Sequence, residues 1–385
     1  SEAGWPDDSL SHASPGHQPA GTTAVTGDPS ALIAAPGLAV VLDTTGQAAP
    51  GVRHARACRE HGRHLVTANM AADSVAGPVL AAELAREGLV YSLAYGDQPA
   101  LIHELVSWAR AAGFDVAAAG KGTQYLEHFH LVTPETVWEI YGIASETARR
   151  AGLDPRTYTA SLDGTKAALE MAATANATGL APPPAGLRFP PVSRADLAHV
   201  MRPEAVGGRL GAGGQLEAAS SLERDGRPVD DALRHGVFVI LHTPDGHVGR
   251  TVRAHGLPTD VTGRHAAFTR PAHLAGLEMT VSVAAAALRG ESTGTPDGRR
   301  AEVVAVAKRD LHAGEVLDGD GGGCAWGMLL PAARADELDG LPIALSGGLT
   351  LNRPVRRGEV VTRHDATPDP ADPAVAAWHA AREAR

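Results

Sequence analysis

Apolar and polar positions alternate in blocks along residues 28–119. Four short runs, at 38–43, 64–69, 89–94 and 114–119, have the length and apolar content of buried strands. The segments between them, 51–61, 75–87 and 99–112, have helical length, and each is followed by a glycine. Strands that alternate with helices across short glycine turns predict an α/β fold with a doubly wound, Rossmann-like sheet.

The pattern changes further along the chain. An alanine-rich helix is predicted from Asp163 to about residue 177, ended by Gly179 and the prolines at 182–184. Residues 236–241 predict one strand of an antiparallel pair, and short strands from residue 301 predict a small β-rich module. The expected organisation is an irregular lead-in at 1–27, a Rossmann-like domain at 28–119, an α+β central catalytic and dimerisation domain at 120–300, and a β-rich domain at 301–385.

Composition and charge exclude several classes of partner and site. The 385 residues are 44% hydrophobic and carry a formal net charge of −10, which argues against nucleic acid or an anionic membrane as partner. The only cysteines, Cys58 and Cys324, exclude a disulfide framework or a zinc ribbon. Apolar runs are too short to span a bilayer, and no signal peptide opens the chain. We expect a cytoplasmic protein, a homo-oligomer, with a small-molecule substrate.

Several segments carry a family resemblance. Thr44-Thr45-Gly46, residues 62–69 and Gly96-Asp97-Gln98-Pro99 resemble the second half of a dehydrogenase nucleotide domain. Residues 119–123, 162–173 and 270–274 resemble the central domain of homoserine-dehydrogenase-like oxidoreductases that carry a C-terminal SAF domain. Residues 307–319 are similar to the opening of that SAF domain, a β-clip. These segments cover most of the chain from about residue 28, so it is identified as a member of this family.

The resemblance implies a function. One branch of the family, the 1-deoxy-D-xylulose-5-phosphate reductoisomerase-like enzymes, uses NADPH. It therefore implies an oxidoreductase that uses NADP or NAD on a small polar substrate, such as a polyol, a hydroxy or keto compound, or a sugar-phosphate-like molecule. Thr44, Thr45 and Gly46 end a strand where a nicotinamide ribose would lie, so they are the expected cofactor-binding residues.

The sequence departs from the family at its start. Residues 1–37 contain no G-x-G-x-x-G turn, so the first βαβ unit of a dinucleotide fold is missing from the pattern. Two explanations stay open. Either the chain lacks its true N-terminus, since it starts at Ser1 and not at methionine, or the loop is lost and the scaffold serves as a cofactor-free isomerase or lyase, or as a non-catalytic ligand-binding protein.

Two further departures concern the substrate. Homoserine dehydrogenases carry a catalytic lysine where this chain has Met70, which argues against homoserine as substrate. The SAF-bearing relatives carry a glutamate where this chain has Ala71, although Asp73 remains nearby. Asn69 and Asp73 are candidate substrate-binding residues.

Candidate catalytic residues follow from spacing. Asp163, Lys166 and Glu170 lie at i, i+3 and i+7 and share one helical face. The alternative is a capped helix in which Lys166 and Glu170 form a surface ion pair that adds about 0.3–0.5 kcal/mol to stability. The family resemblance favours a helix face that lines a cleft, with Asp163 and Lys166 catalytic and Glu170 binding substrate. Lys121 is a third candidate catalytic residue, because it follows the strand at 114–119, where open α/β sheets bind ligands; the alternative is a solvated lysine in a turn.

Two further sets of polar residues allow more than one interpretation. Asp97 and Gln98 could hold substrate hydroxyls or could cap the helix that starts at Pro99. Glu127, His128 and His130 lie close in sequence but lack a third ligand at a telling spacing, so we predict scattered surface histidines and no metal site.

Overall fold

The computed structural model describes residues 10–11 and 23–384, so the predicted lead-in at 1–27 lies almost wholly outside it. The strands are β1 Leu10–Ser11, β2 Thr23–Ala24, β3 Val40–Asp43, β4 His64–Thr67, β5 Tyr91–Leu93, β6 Asp115–Thr123, β7 Gln215–Ser220, β8 Val237–His242, β9 His265–Arg270, β10 Ala301–Ala307 and β11 Ala325–Pro331. The helices are α1 Pro29–Ala34, α2 Ala48–Glu60, α3 Met70–Ala85, α4 Gln98–Ala111, α5 Val137–Tyr141, α6 Ser145–Arg150, α7 Pro155–Leu162, α8 Thr165–Thr178, α9 Leu197–Val200, α10 Gly246–Ala254, α11 Met279–Arg289, α12 Ala332–Glu337 and α13 Pro373–Glu383.

The first sheet is parallel, in the order β3–β4–β5. Helices α2 and α3 cover one face and α11 covers the other, so β4 and β5 are largely buried, whereas β3 at the edge of the sheet is partly exposed. Close packing of α2 on α3 requires Gly51, because a Cβ there would lie 2.5 Å from the Cβ of Ala72. The prediction of an α/β fold with a parallel sheet is confirmed.

The second sheet is mixed, in the order β7–β6–β8–β9. Strand β6 pairs parallel with β7 and antiparallel with β8, with Gly120 opposite Phe238. The prediction of an antiparallel strand at 236–241 is confirmed. The assignment of 114–119 to the doubly wound sheet is wrong, because the partners of β6 come from segments about a hundred residues downstream.

Helix α8 lies at the centre of the molecule. It packs against α3 and α4 on one side and against β10 and β11 on another. Apart from Lys166, every residue of α8 is buried, so its alanines allow close approach from all sides. The predicted end at Gly179 is confirmed, with φ +73 at that glycine.

The C-terminal part is rich in short strands, as predicted. Strands β10 and β11 form an antiparallel ladder from Ala301↔Pro331 to Ala307↔Ala325. The chain then returns to the first sheet, where α13 packs on α2 and α3 with Trp378 fully buried. Among the described helices, none is both long and apolar enough to cross a membrane.

Candidate functional site

A cavity of about 260 Å³ lies at the carboxyl end of β6, between α7, α8 and the loops before β8 and after β9. We call it the lysine pocket. Most of its lining side chains are basic or carry hydrogen-bonding groups: Gln98, Lys121, Thr123, Gln124, Tyr141, Tyr158, Ser161, Lys166, Arg234, His235 and His273. The pocket therefore suits a small, negatively charged ligand.

Two lysines share one buried carboxylate beside the pocket. The Nζ of Lys121 forms an ion pair with Glu170 and donates to Oε1 of Gln98 at 3.2 Å. The Nζ of Lys166 lies 3.9 Å from the other carboxylate oxygen of Glu170, with 48% of its side chain exposed. The negative charge of Glu170 raises the pKa of Lys166, so this lysine is a cation at neutral pH.

Asp97 and Gln98 lie at the start of α4 next to this cluster. The carboxylate of Asp97 accepts a hydrogen bond from the backbone N–H of Gln98 at 3.0 Å, so it caps the helix. Burial, with the nearby charge of Glu170, raises the pKa of Asp97 to about 6. Asp97 therefore caps the helix, whereas the side chain of Gln98 lines the pocket and accepts a hydrogen bond from Lys121.

Residues that sequence reasoning did not select complete the pocket. Nδ1 of His273 lies 3.0 Å from the carbonyl oxygen of Gly96, so Nδ1 carries the proton and Nε2 is an acceptor. Burial lowers the pKa of His273 and of His235, which keeps both rings neutral near pH 7. His273 lies in the 270–274 segment, the only signal that pointed to it; Arg234 and His235 lie in no recognisable motif.

Asp163 does not line the lysine pocket, and the predicted face that it would share with Lys166 does not form. Its side chain is fully buried, 2.8 Å from Nζ of Lys308, and its other oxygen accepts the N–H of Thr165 at 2.8 Å. Helix α8 begins at Thr165, so Asp163 precedes the helix and does not share the face of Lys166. Asp163 instead forms an ion pair with Lys308 in the C-terminal part of the chain.

Asn69 and Asp73 also lie outside the lysine pocket. Asn69 caps α3 and donates to Oγ1 of Thr45 at 3.0 Å and to the carboxylate of Asp43 at 3.1 Å. Asp73 is fully buried and accepts a hydrogen bond from the hydroxyl of Tyr91 at 2.9 Å. Both side chains hold the first sheet and its helices together, which corrects their prediction as substrate ligands.

Thr45 and Gly46 line a different cavity, of about 670 Å³, at the carboxyl end of β3. We call it the β3 cavity; exposed Thr44 does not line it. The β3 cavity and the lysine pocket share no lining residue. Its wall carries one arginine, Arg156, against five aspartates: Asp154, Asp318, Asp320, Asp369 and Asp372.

A nicotinamide dinucleotide does not fit these residues. A pyrophosphate needs several glycines where a strand turns into a helix, and positive charge around it. In residues 23–384, the turns from β3 to α2, from β4 to α3 and from β5 to α4 each contain at most one glycine. The aspartates of the β3 cavity would repel the phosphates.

His130, one of the histidines considered for a metal site, makes contacts with protein groups. The ring of His130 stacks on Trp326 at 3.7 Å, and its Nδ1 lies 2.6 Å from the carbonyl oxygen of Asp163. Within the described ranges, no three histidine, cysteine or acidic side chains are arranged to hold a metal ion.

Comparison with known proteins finds a family match for the central part of the chain. Residues 96–279 match the family model described as oxidoreductase DRL, catalytic domain, which supports an oxidoreductase. Every residue that lines the lysine pocket lies within this range. No curated protein matches the chain.

Two solved structures show a weak overlap, and each is described as a "putative oxidoreductase". One, from Bacteroides fragilis NCTC 9343, is 12% identical with a TM-score of 0.27 over 72% of this chain and 78% of that one. The other, yvaA from Bacillus subtilis, is 13% identical with a TM-score of 0.31 over 70% of this chain and 76% of that one. At these TM-scores neither likeness identifies a shared fold.

Proposed function

We propose that this chain is an oxidoreductase that binds a small anionic hydroxy or keto compound, of sugar-phosphate-like size, in the lysine pocket. The observation that carries the proposal is that all lining residues of this pocket lie inside the range that matches an oxidoreductase catalytic domain. The basic lining gives an anionic substrate its orientation, and the cavity of about 260 Å³ limits the substrate to a small molecule.

Lys166 has the central role in the proposed chemistry. A carbonyl oxygen gains negative charge when it is reduced, and an ammonium group beside it stabilises that charge and supplies a proton. Glu170 raises the pKa of Lys166 and so keeps it protonated, and Lys121 pairs with the same carboxylate at the wall of the pocket. In the reverse reaction the substrate hydroxyl returns its proton to the neutral amine of Lys166, and the neutral ring of His273, which also lines the pocket, would accept a hydrogen bond from the substrate.

An oxidoreductase also needs a hydride carrier. The family resemblance implies NADP or NAD, which would supply or accept the hydride. The acidic β3 cavity and its separation from the lysine pocket argue against a dinucleotide bound wholly by the described residues. The same observation favours a second candidate, a cofactor-free isomerase or lyase, in which Lys166 and His273 move a proton next to a substrate carbonyl.

Replacing Lys166 with methionine tests the proposal. The full chain is assayed with a panel of hydroxy and keto sugar phosphates, with and without NADPH or NADH. Lys166→Met is expected to lower kcat/KM by about 100-fold or more, because general-acid and charge stabilisation are lost together. Arg149→Met, which removes an equally charged but exposed side chain, is the matched control.

The outcomes separate the candidates. Turnover that requires a nicotinamide cofactor and falls only in Lys166→Met supports the oxidoreductase. Isomerisation or cleavage without cofactor, with the same loss in Lys166→Met, supports the second candidate. If turnover is the same in Lys166→Met as in the original chain, the lysine pocket is not the active site.

A further inference from the structure

A third cavity, of about 290 Å³, lies beside β7 and contains three arginines. We call it the arginine cavity; its charged lining residues are Arg188, Arg209, Arg224 and Glu217. Glu217 is paired in register with Gly120, the residue before Lys121. Successive strand residues point to opposite faces of a sheet, so Glu217 and Lys121 project from opposite faces of the mixed sheet. The arginine cavity is therefore separate from the lysine pocket.

The three guanidinium groups are weakly compensated. Arg188 pairs with Glu204 at 3.1 Å, but both side chains are more than half exposed, and such surface pairs contribute little. Arg224 donates to the carbonyl oxygen of Arg188 at 2.9 Å. Arg209 makes no side-chain hydrogen bond or ion pair with any residue of the described ranges. Three arginines are thus held together in a chain whose net charge is −10.

Glu217, the one acid in the lining, does not neutralise them. Its carboxylate accepts hydrogen bonds from the backbone N–H groups of Ala218 at 2.8 Å, Arg188 at 3.0 Å and Phe189 at 3.3 Å. No guanidinium group of the described residues forms an ion pair with it. Burial raises the pKa of Glu217 to about 7, so near neutral pH it carries only part of a negative charge.

The backbone beside Glu217 is held in a conformation that side chains rarely adopt. Phe189 has φ +48, in the left-handed region, which costs about 1 kcal/mol or more. This conformation allows the N–H groups of Arg188 and Phe189 to bind the same carboxylate, and it places Arg188 at the rim of the cavity. Pro190, Pro191 and Val200 form an apolar wall next to it.

We propose that the arginine cavity is a second ligand site, for a small molecule that carries a phosphoryl group. Arginine presents two parallel N–H donors that match phosphate oxygens, and three arginines can hold three oxygens of one phosphoryl group. The apolar wall of prolines and Val200 would contact the carbon skeleton. The site goes beyond the proposed function, because it lies on the other face of the sheet from Lys166.

Calorimetric titration with inorganic phosphate and with glycerol 3-phosphate tests this site. The decisive variant is Arg209→Gln, because Arg209 has no side-chain partner in the described ranges and its loss leaves the fold intact. Its expected effect is a rise in Kd of about tenfold, as one charge-assisted contact is lost. Arg209→Lys, which keeps the charge but not the paired donors, should lie between this variant and the original chain. Arg250→Gln, an exposed arginine outside the cavity, is the matched control.

Titration of Lys166→Met separates this site from the lysine pocket. The proposal holds if phosphate still binds to Lys166→Met, if Arg209→Gln weakens that binding, and if Arg250→Gln does not. It is overturned if Lys166→Met binds no phosphate, if neither ligand binds the original chain, or if Arg209→Gln behaves like Arg250→Gln. Turnover at the lysine pocket should be unchanged in Arg209→Gln, so failure here and failure of the proposed function are distinguishable.

Discussion

Asp73 is a carboxyl group with no exposed surface and one hydrogen bond, from the hydroxyl of Tyr91. Burial raises its pKa from 3.8 to about 7. A carboxyl with a raised folded-state pKa binds its proton more tightly in the folded protein than in the unfolded chain. Its contribution to stability is therefore present at low pH and is lost as the pH rises from about 4 to about 7.

This predicts a pH-dependent effect of Asp73→Asn. Asparagine keeps the acceptor for Tyr91 but cannot ionise, so the variant should lose less stability than the original chain between pH 4 and pH 7. The difference should reach roughly 4 kcal/mol, at 1.36 kcal/mol per unit of pKa shift. Urea unfolding at a series of pH values measures it, with exposed Asp230→Asn as control. Parallel pH profiles for Asp73→Asn and the original chain would contradict the prediction.

Residue by residue, the sequence indicated part of the candidate site. Lys121, Lys166, Glu170 and Gln98 meet at one pocket, and family segments had marked them. The predicted shared face of Asp163 and Lys166 does not form, because α8 begins two residues later than predicted. Arg234 and His235 could not be found, because only the pairing of β8 with β6 brings them to Lys121.

At the scale of elements, β6 depends on its glycines. A Cβ at Gly122 would lie 1.3 Å from the carbonyl oxygen of Leu233, so no side chain fits between β6 and the segment that carries Arg234 and His235. The sequence placed Lys121 and its flanking glycines after the strand predicted at 114–119. In the structure they lie within the strand and allow a second segment to approach its backbone.

Gly122→Ala is therefore expected to be harmful. Moving the Leu233 carbonyl should destabilise the chain by about 1–3 kcal/mol or more and displace Arg234 from the lysine pocket. Thermal unfolding and ligand binding at the pocket measure the two effects. Gly213→Ala, where the nearest atom to the new Cβ is 3.8 Å away, should change neither. A Gly122→Ala protein as stable as Gly213→Ala would show that the two segments are not in close contact.

Local elements followed the sequence more closely than their assembly did. The helices at 48–60, 98–111 and 165–178 begin and end within about three residues of the predicted bounds. Assignment of strands to sheets was less successful, since a buried apolar strand looks the same whichever neighbours it pairs with. Strand β6 had the pattern of a fourth parallel strand, but its partners β7 and β8 became visible only in the fold.

At the scale of the whole molecule, Lys308 joins the central part to the C-terminal part. Its Nζ donates to the carbonyl oxygens of Val132 at 2.7 Å and Gly322 at 2.6 Å, and lies 2.8 Å from the carboxylate of Asp163. Both charged side chains are buried. A buried carboxylate that loses its only cation is strongly destabilising, so this pair sets how firmly the two parts are joined.

Lys308→Met should loosen that junction. We expect a loss of about 3–5 kcal/mol and faster amide hydrogen exchange around 163–165 and 318–324, because Asp163 is left buried without its cation. Adding Asp163→Asn should recover part of the loss, since no charge then remains. Hydrogen exchange followed by mass spectrometry locates the change, with Arg334→Met as control, because Arg334 is half exposed and pairs with Glu337, which is also exposed. Unchanged exchange at 163–165 in Lys308→Met would rule out this role.

The packing of α13 on α2 and α3 has a consequence for biosynthesis. The first sheet is assembled from residues translated early, but the hydrophobic surface of its helices is closed by Trp378 and its neighbours. A ribosome must release α13, residues 373–383, before that surface is covered. Nascent chains should therefore expose it throughout translation, and a stop codon before residue 373 should yield a product that chaperones retain or proteases remove.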